Sequence, residues 1–517
     1  MNNPILGLID DAPIVADDRK LLYEPPNDTG NARRLIARHG HDMLFVDDIG
    51  WHVWDAKRFQ GGKFGEAEAT TRAQMTAEAI TIEARLIADE LRRSEDERSE
   101  AATEKRALLM DRAEKHSKFG VASGNAPRVK AMLEMAVPKK RVPPQTLDQD
   151  PRKFNCQNGT LLLQPREEAG APAVLAPHAR RDRISKLAGA MHDPEAQCPV
   201  FMSFLEKIMP DQDVRHFLQV FFGYCLTGDI GEQMIVICYG TGANGKSTLL
   251  DAIKYVMGEY AVTLPIETFL ADDRKRGGDA TPDIARLPGA RLVLASEPET
   301  SARISESVVK TITGGEMMTA RKLFKDQFEF MPAFKLVISV NRKPTVRGQD
   351  EGIWRRLGLV PFTVTIPKPE RDKRMMAKLR AEAAGIFNWM FEGFLEWQER
   401  GLPHVAAIEA ARDEYRAESD PIGEFLRDRT VRKPGATVTA KALFDDYVAW
   451  CVRNFGDKSK AASIHIFGRA LGDRGYHKEK TGVYYYQDLE LLPKPVEEGE
   501  APVPDPDAYG AEERPAE

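Results

Sequence analysis

At 517 residues, 42% hydrophobic and 29% charged, the chain has the profile of a folded globular protein with room for roughly three domains. A formal net charge of -6 excludes a blanket polycation, so any nucleic-acid surface has to be local. The five cysteines, Cys156, Cys198, Cys225, Cys238 and Cys451, form no CxxC pair, and no apolar run reaches bilayer length; zinc modules, a disulfide framework and a membrane span are not expected.

The opening, MNNPILGLIDDAPIVADD, is acidic where a signal peptide is basic, so a cytoplasmic protein is expected. Residues 1–150 read as a helical N-terminal domain, with apolar residues at helical spacing from Glu66 to about Lys118. The proline-dense Val137–Pro151 is a connector, and 151–198 is a connecting segment with short strands, FNCQNGTLLL turning at its Asn-Gly pair. From Pro199 the pattern becomes helices followed by apolar strands. MIVICYG, RLVLASE and KLVISVN are rich in Val, Ile and Leu, as strands buried on both faces of a parallel sheet are. Glu370–Gly401 and Ala406–Arg427 read as helices, Val431–Thr439 as a linker, and the Pro- and acid-rich 491–517 as a disordered tail.

The chemistry is concentrated in the α/β region. Within MIVICYGTGANGKSTLL, residues Gly240, Thr241, Gly242, Ala243, Asn244, Gly245, Lys246, Ser247 and Thr248 have the spacing of a phosphate loop between a strand and a helix. Backbone N–H groups of such a turn point at phosphates, Lys246 can reach the β and γ oxygens of ATP, and Ser247 can hold Mg²⁺. The strand in ARLVLASEPET delivers Glu297 and Glu299, either of which can order the metal's hydration shell or polarise water. A second strand ends in Asn341, suited to orienting the attacking water or reading the γ-phosphate, and Arg355 or Arg356 can stabilise a transferring phosphoryl group, often on a neighbouring subunit. Between them, MTARKLF and FEFMP suggest a β-hairpin whose tip carries Lys322 and Lys325, with Arg321 nearby; Phe324 and Phe328 either anchor it or stack on bases.

The order GANGKS, acidic strand, K…GGE…AR.LF, strand ending in Asn, WRR resembles superfamily 3 helicases, most closely the phage and plasmid primase-helicase family that includes the poxvirus primase-helicase. The resemblance is strong over Pro199–Phe362, and Asn27–Phe59 and Phe154–Leu163 look like the domain that precedes the helicase in that family. It implies that Gly240, Gly245, Lys246 and Ser247 form the nucleotide loop, Glu297 the acidic and metal position, Asn341 the sensor and Arg355 or Arg356 the finger. Lys322 and Lys325 fall in the segment that forms a channel hairpin. Glu316 replaces a frequent Asp after the Gly-Gly pair, a mild departure. Many family members carry an N-terminal primase domain; none is expected here, so primer synthesis is not expected of this chain by itself.

The resemblance implies an AAA+ ATPase core over 199–375, a helical lid over 376–430, and a hexameric ring moving 3′ to 5′ on single-stranded DNA. Residues 431–490 read helix, helix, hairpin, as in a winged helix, a module that either binds DNA, with His465, Arg469, Lys478 and Lys480 as candidate contacts, or docks protein. The function expected is ATP-driven unwinding of forked DNA in replication of a phage, plasmid or integrated element, with primers from a separate protein. The alternative is an ATP-switched initiator or loader with little unwinding.

Overall fold

Asn27 starts the first long helix: its side chain accepts from the backbone N–H of Gly30 at 2.9 Å, and α1 runs Asp28–His39. The computed structural model describes residues 17–93, 100–163, 173–270, 281–296, 304–321, 327–346, 351–456 and 461–493. They fall in two compact units, Met1–Asp413 and Glu414–Glu517.

In the first unit α1 packs with α2 (Gly62–Arg93), α3 (Glu100–Ser123) and α4 (Ala126–Lys140). This part is not helical alone. Strands β1 (Met43–Val46), β2 (Gly50–Trp54), β3 (Phe59–Gln60) and β4 (Arg141–Val142) form a sheet in the order β3-β2-β1-β4. Trp51 and Val53 of β2 pack with Ala69 and Ala73 of α2 and Val129 and Met132 of α4. A buried ionic cluster centres on Glu83, which accepts from Arg34 Nε at 3.2 Å and Arg38 Nη2 at 2.6 Å and pairs with His116 Nε2 at 2.9 Å. Burial pushes the Glu83 carboxyl up, but the His116 hydrogen bond and the Arg34 and Arg38 charges outweigh it and hold the group below its ordinary value.

Strands β5 (Lys153–Cys156), β6 (Gly159–Leu163) and β7 (Ala173–Ala176) form an antiparallel sheet. Its fully buried Asn155 ties several segments together. Asn155 Nδ2 donates to the carbonyls of Lys57 and Lys186, its backbone N–H donates to Tyr260 Oη, and its Oδ1 accepts from Thr160 Oγ1 at 2.9 Å.

The next strands are β8 (Ile235–Tyr239), β9 (Ala261–Pro265), β10 (Leu292–Ser296), β13 (Lys335–Val340) and β14 (Leu357–Pro361), after the hairpin strands β11 (Met318–Arg321) and β12 (Gln327–Phe330). The five make a parallel sheet in the order β14-β8-β13-β10-β9. Their continuous apolar runs are buried because helices cover them: α5 (Pro199–Ile208), α6 (Gln212–Tyr224), α7 (Lys246–Met257), α8 (Glu306–Gly314), α9 (Met375–Ala381) and α10 (Ala383–Arg400). The α10 residues Ile386, Phe387, Met390 and Phe394 share one apolar cluster with α5, α6 and the sheet. α11 (Ala406–Glu418) contains the boundary between the units. Strands β11 and β12 pair antiparallel from Met318↔Phe330 to Arg321↔Gln327. This hairpin is pinned on β12 by Gln145 Nε2, donating to the Glu329 carbonyl at 2.9 Å, and at the last residue of β11 by Thr281 Oγ1, accepting from Arg321 N–H at 2.9 Å. Phe328, 7% exposed, anchors the hairpin and does not offer its ring to solvent. Lys322, Phe324 and Lys325 lie outside the described residues.

The second unit begins before the expected linker. α12 (Pro421–Arg429) buries Ile422, Phe425 and Leu426 among Leu443, Tyr447, Trp450, Phe467 and Tyr486, so it belongs to this unit's core. Val431–Thr439 is not a linker: β15 (Thr430–Thr439) pairs with β17 (Val483–Leu491), its register shifting between Arg432 and Thr437, so Pro434 and Gly435 are accommodated at a bulge. α13 (Ala440–Phe455) and α14 (Ile464–Asp473) follow, capped by Thr439 and Ser463, then β16 (Lys478–Thr481), giving a sheet in the order β15-β17-β16. The tail assigned to 491–517 lies outside the described residues from 494 onward. Among the described residues no helix is long and apolar enough to cross a membrane.

Candidate functional site

Strand β8 is buried through Cys238 and ends at Tyr239, where the chain turns sharply into α7. The turn requires glycine at both ends. Gly240 has φ +152°, and a Cβ there would meet the Phe362 carbonyl oxygen at 2.3 Å; Gly245 has φ +80°, and its Cβ would strike Ile208 Cγ2 at 2.4 Å. Ala243, with φ +64°, accepts from the Ile366 N–H through its carbonyl at 2.8 Å. Asn244, 4% exposed, braces the loop from inside: its Nδ2 donates to the Phe362 carbonyl at 3.4 Å, and its Oδ1 accepts from the Lys246 N–H at 3.3 Å. Thr241 and Gly242 are exposed, as is Ser247 on the first turn of α7, while Thr248 is half-buried.

Lys246 is 5% exposed, and its Nζ donates to the carbonyls of Gly240, at 3.3 Å, and of Val340. Val340 ends β13 and precedes Asn341, which is exposed; in register, Val340 lies opposite Tyr239, and Ser339 opposite both Cys238 and Ser296. Strands β8, β13 and β10 therefore end level, and the loop lysine touches the strand that carries Asn341. Glu297 and Glu299, which follow Ser296, lie outside the described residues. An anion with several oxygens would find backbone N–H groups, the start of a 12-residue helix and one ammonium here.

Beside the loop lies a cavity of 580 Å³ that sequence reasoning missed. Val200 and Phe204 of α5, Ile366 and Met375 form apolar parts of its lining, Ala243, Gly245 and Thr248 join it to the loop, and Lys207 Nζ donates to Glu370 Oε2 at 2.6 Å in the lining. α5 is held by a distant cap: the Glu382 carboxylate accepts from the Val200 and Phe201 N–H groups at 3.0 and 2.9 Å. These residues are distant in sequence, which is why no local motif announces the cavity. A larger one, 710 Å³, is lined by Thr227, Asp229, Glu232 and Trp397 and includes no loop residue.

The arginine pair sits elsewhere. Arg355 is exposed and donates Nη2 to Gln233 Oε1 at 3.1 Å; Arg356 is half-buried, donating Nε to Thr313 Oγ1 at 2.9 Å and Nη2 to Gln233 Oε1 at 3.2 Å. They precede β14, whose Leu357 lies opposite Ile235 and whose Pro361 lies opposite Tyr239. The pair is thus at the opposite end of the strands from the loop, at least about 13 Å along them at about 3.3 Å per residue. Within one chain the structure does not bring Arg355 or Arg356 to Lys246. Arg321 ends β11 opposite Gln327, at the end of the hairpin next to the connection between its strands. In the second unit His465 and Arg469, four apart, lie on the exposed face of α14 while Phe467 and Leu471 face the core, and Lys478 and Lys480 are exposed on β16.

Known proteins match this chain over much of both regions. Residues 32–210 match the family described as D5 N terminal like, and 238–356 match a family of unknown function, DUF5906. A protein of Acanthamoeba polyphaga mimivirus named as a candidate helicase is 30% identical over 274 residues, 49% of this chain and 28% of that protein. One of Frog virus 3, also named as a candidate helicase, is 25% identical over 54% of this chain and 32% of its own length. One of African swine fever virus, named as a candidate primase, is 23% identical over 62% of this chain and 35% of its own. The chain spans about a third of the length of the curated relatives it matches. Among solved structures, the apo C-terminal region of NrS-1 covers 58% of this chain and 77% of that one at 13% identity and a TM-score of 0.36, a likeness that carries no argument. The chain thus carries a D5 N-terminal-like domain and is similar to proteins of large DNA viruses named as candidate helicases and primases, a similarity that supports a D5-like primase-helicase.

Proposed function

We propose that the chain is an ATP-driven DNA helicase that acts in replication of a phage, plasmid or integrated element, in the cytoplasm of its host, as a ring moving 3′ to 5′ on single-stranded DNA. The observation that carries this reading is the contact between the loop and β13: the buried Lys246 donates to the carbonyl of Val340, one residue before Asn341. Phosphates arriving at the loop compete for that ammonium, so nucleotide occupancy is coupled directly to the strand bearing Asn341. β13 is preceded by the β11–β12 hairpin, which places a candidate DNA-contacting element one short connection from the coupled strand.

The residues present fit MgATP. The two positive-φ glycines let the loop pack against Phe362 and Ile208 and lead into the N-terminus of α7, with Lys246 buried at its start and Ser247 exposed beside it. Ser247 and Glu297 would hold Mg²⁺, which neutralises phosphate charge when bound. Lys246 would hold the β and γ oxygens, Asn341 would orient water, and the apolar cavity beside Gly245 would take the base. Arg355, at the far end of its own sheet's strands, would serve the loop of a neighbouring copy. Arg321, Lys322 and Lys325 would carry the phosphate backbone. The second unit's order of helix, strand, two helices and two strands supports a winged helix, and the relatives named as helicases support the assignment to DNA.

Strand displacement tests the reading. The wild-type chain is expected to unwind duplexes with 3′ tails, to leave 5′-tailed duplexes intact, and to hydrolyse ATP faster with single-stranded DNA present, while Lys246→Ala does neither. Hydrolysis indifferent to DNA, with no displacement on either substrate, would sink it.

A further inference from the structure

The β16–β17 hairpin of the second unit has one face whose composition the fold does not require. Lys480 lies opposite Tyr484 and Lys478 opposite Tyr486, so two lysines and two tyrosines share that face. Tyr486 is 1% exposed and belongs to the core, whereas Tyr484 is 50% exposed and Val483, next to the turn at Gly482, is 62% exposed. The ammonium groups of Lys478 and Lys480 lie 4.3 and 5.4 Å from the centroid of the Tyr484 ring. Glu479, the carboxylate of β16, is on the other face, where it accepts from Tyr485 Oη at 2.7 Å, and Asp488 and Glu490 lie at the end of β17 away from the turn. The result is an aromatic ring near a hairpin tip with two cations on its own face, while Val483, opposite Thr481, lies with Glu479 on the other face.

From this geometry we propose that the hairpin is a wedge for the junction of single- and double-stranded DNA: Tyr484 stacks on the terminal base pair, and Lys478 and Lys480 take the phosphates beside it. Stacking needs an uncovered base face, which the interior of a duplex lacks and its end provides. Cations beside the ring match the charge that flanks every base, and an exposed ring suits the flat outer face of a base pair. The proposal rests on the helicase reading and gives the second unit a task within it.

The test uses the full chain and forked DNA carrying 2-aminopurine in the last base pair. Wild type is expected to change the probe's fluorescence without ATP. Tyr484→Ala should lower fork affinity roughly ten-fold and abolish the signal while single-strand-stimulated ATP hydrolysis persists, and Tyr484→Trp should restore both. The double variant K478A/K480A should reduce the slope of log affinity against log salt by about 1.5. A Tyr484→Ala chain with unchanged melting, unchanged fork affinity and an unchanged junction signal overturns the wedge. So does one that loses self-association but keeps fork binding, which makes the face a protein contact. Failure of the wild type to displace a strand would instead strike the helicase reading, since junction binding without ATP reads the wedge by itself.

Discussion

Lys335 shows what single residues do at the end of the strands away from the loop. Its ammonium is buried, donates to the carbonyls of Thr227 at 2.6 Å and Asp229 at 3.0 Å near the end of α6, and lies 4.4 Å from the centroid of the Tyr224 ring. Burial pushes it down from 10.5 to about 7. Between those values the unfolded chain holds a proton that the folded chain has lost, so stability should rise with pH through that window, by at most about 1.4 kcal/mol per pH unit. Lys335→Met, which keeps the apolar stem, should flatten that rise, read by urea unfolding followed through tryptophan fluorescence at pH 7, 8 and 9. A wild type whose stability is level over this range would show that the carbonyl bonds hold the lysine charged. Neither Lys335 nor Asn244 could be given its task from sequence. Lys335 reads only as the polar start of a strand, and Asn244 only as part of a family signature, because the carbonyls they hold belong to residues about a hundred positions away.

Elements were legible where the pattern was long and local. β8, β10 and β13 announced themselves as unbroken apolar runs, which β9 did not, α2 and α3 as helical periodicity, and the β11–β12 hairpin as two short extended pieces. β15 was not, because Pro434 and Gly435 in its middle look like a linker until the bulge beside β17 explains them. The N-terminal sheet was hidden by strands of two to five residues, too short for alternation to stand out. α5 was legible as a helix but not as a cavity wall, since its cap, Glu382, comes from the start of α10. Removing that cap with Glu382→Ala frees two N–H groups and should cost about 1 kcal/mol in stability. Because α5 lines the cavity beside the loop, the variant is expected to raise the KM for ATP several-fold with kcat little changed. A lower kcat at unchanged KM would place Glu382 in the chemistry and contradict a positioning role.

For the whole molecule the question is whether one chain contains a complete site. Lys246 and the end of β13 meet at one end of the strands, while Arg355 and Arg356 occupy the other. Arg356 is tied to Thr313, Gln233 and the Gly352 carbonyl, whereas Arg355 is exposed, so Arg355 is the better candidate to reach outward. No rotamer of an arginine side chain, about 7 Å long, spans the roughly 13 Å of strand to its own loop. If Arg355 acts, it acts on a second copy, and complementation reads this directly. Lys246→Ala and Arg355→Ala chains should each be inactive as ATPases. Mixed in equal amounts and allowed to reassemble, they should pair an intact loop with an intact finger at about one interface in four, and recover about a quarter of wild-type hydrolysis if interfaces act independently. A mixture as silent as its components, from chains that still co-assemble, would exclude Arg355 as a residue shared between copies. Full activity of Arg355→Ala alone would remove it from the chemistry altogether.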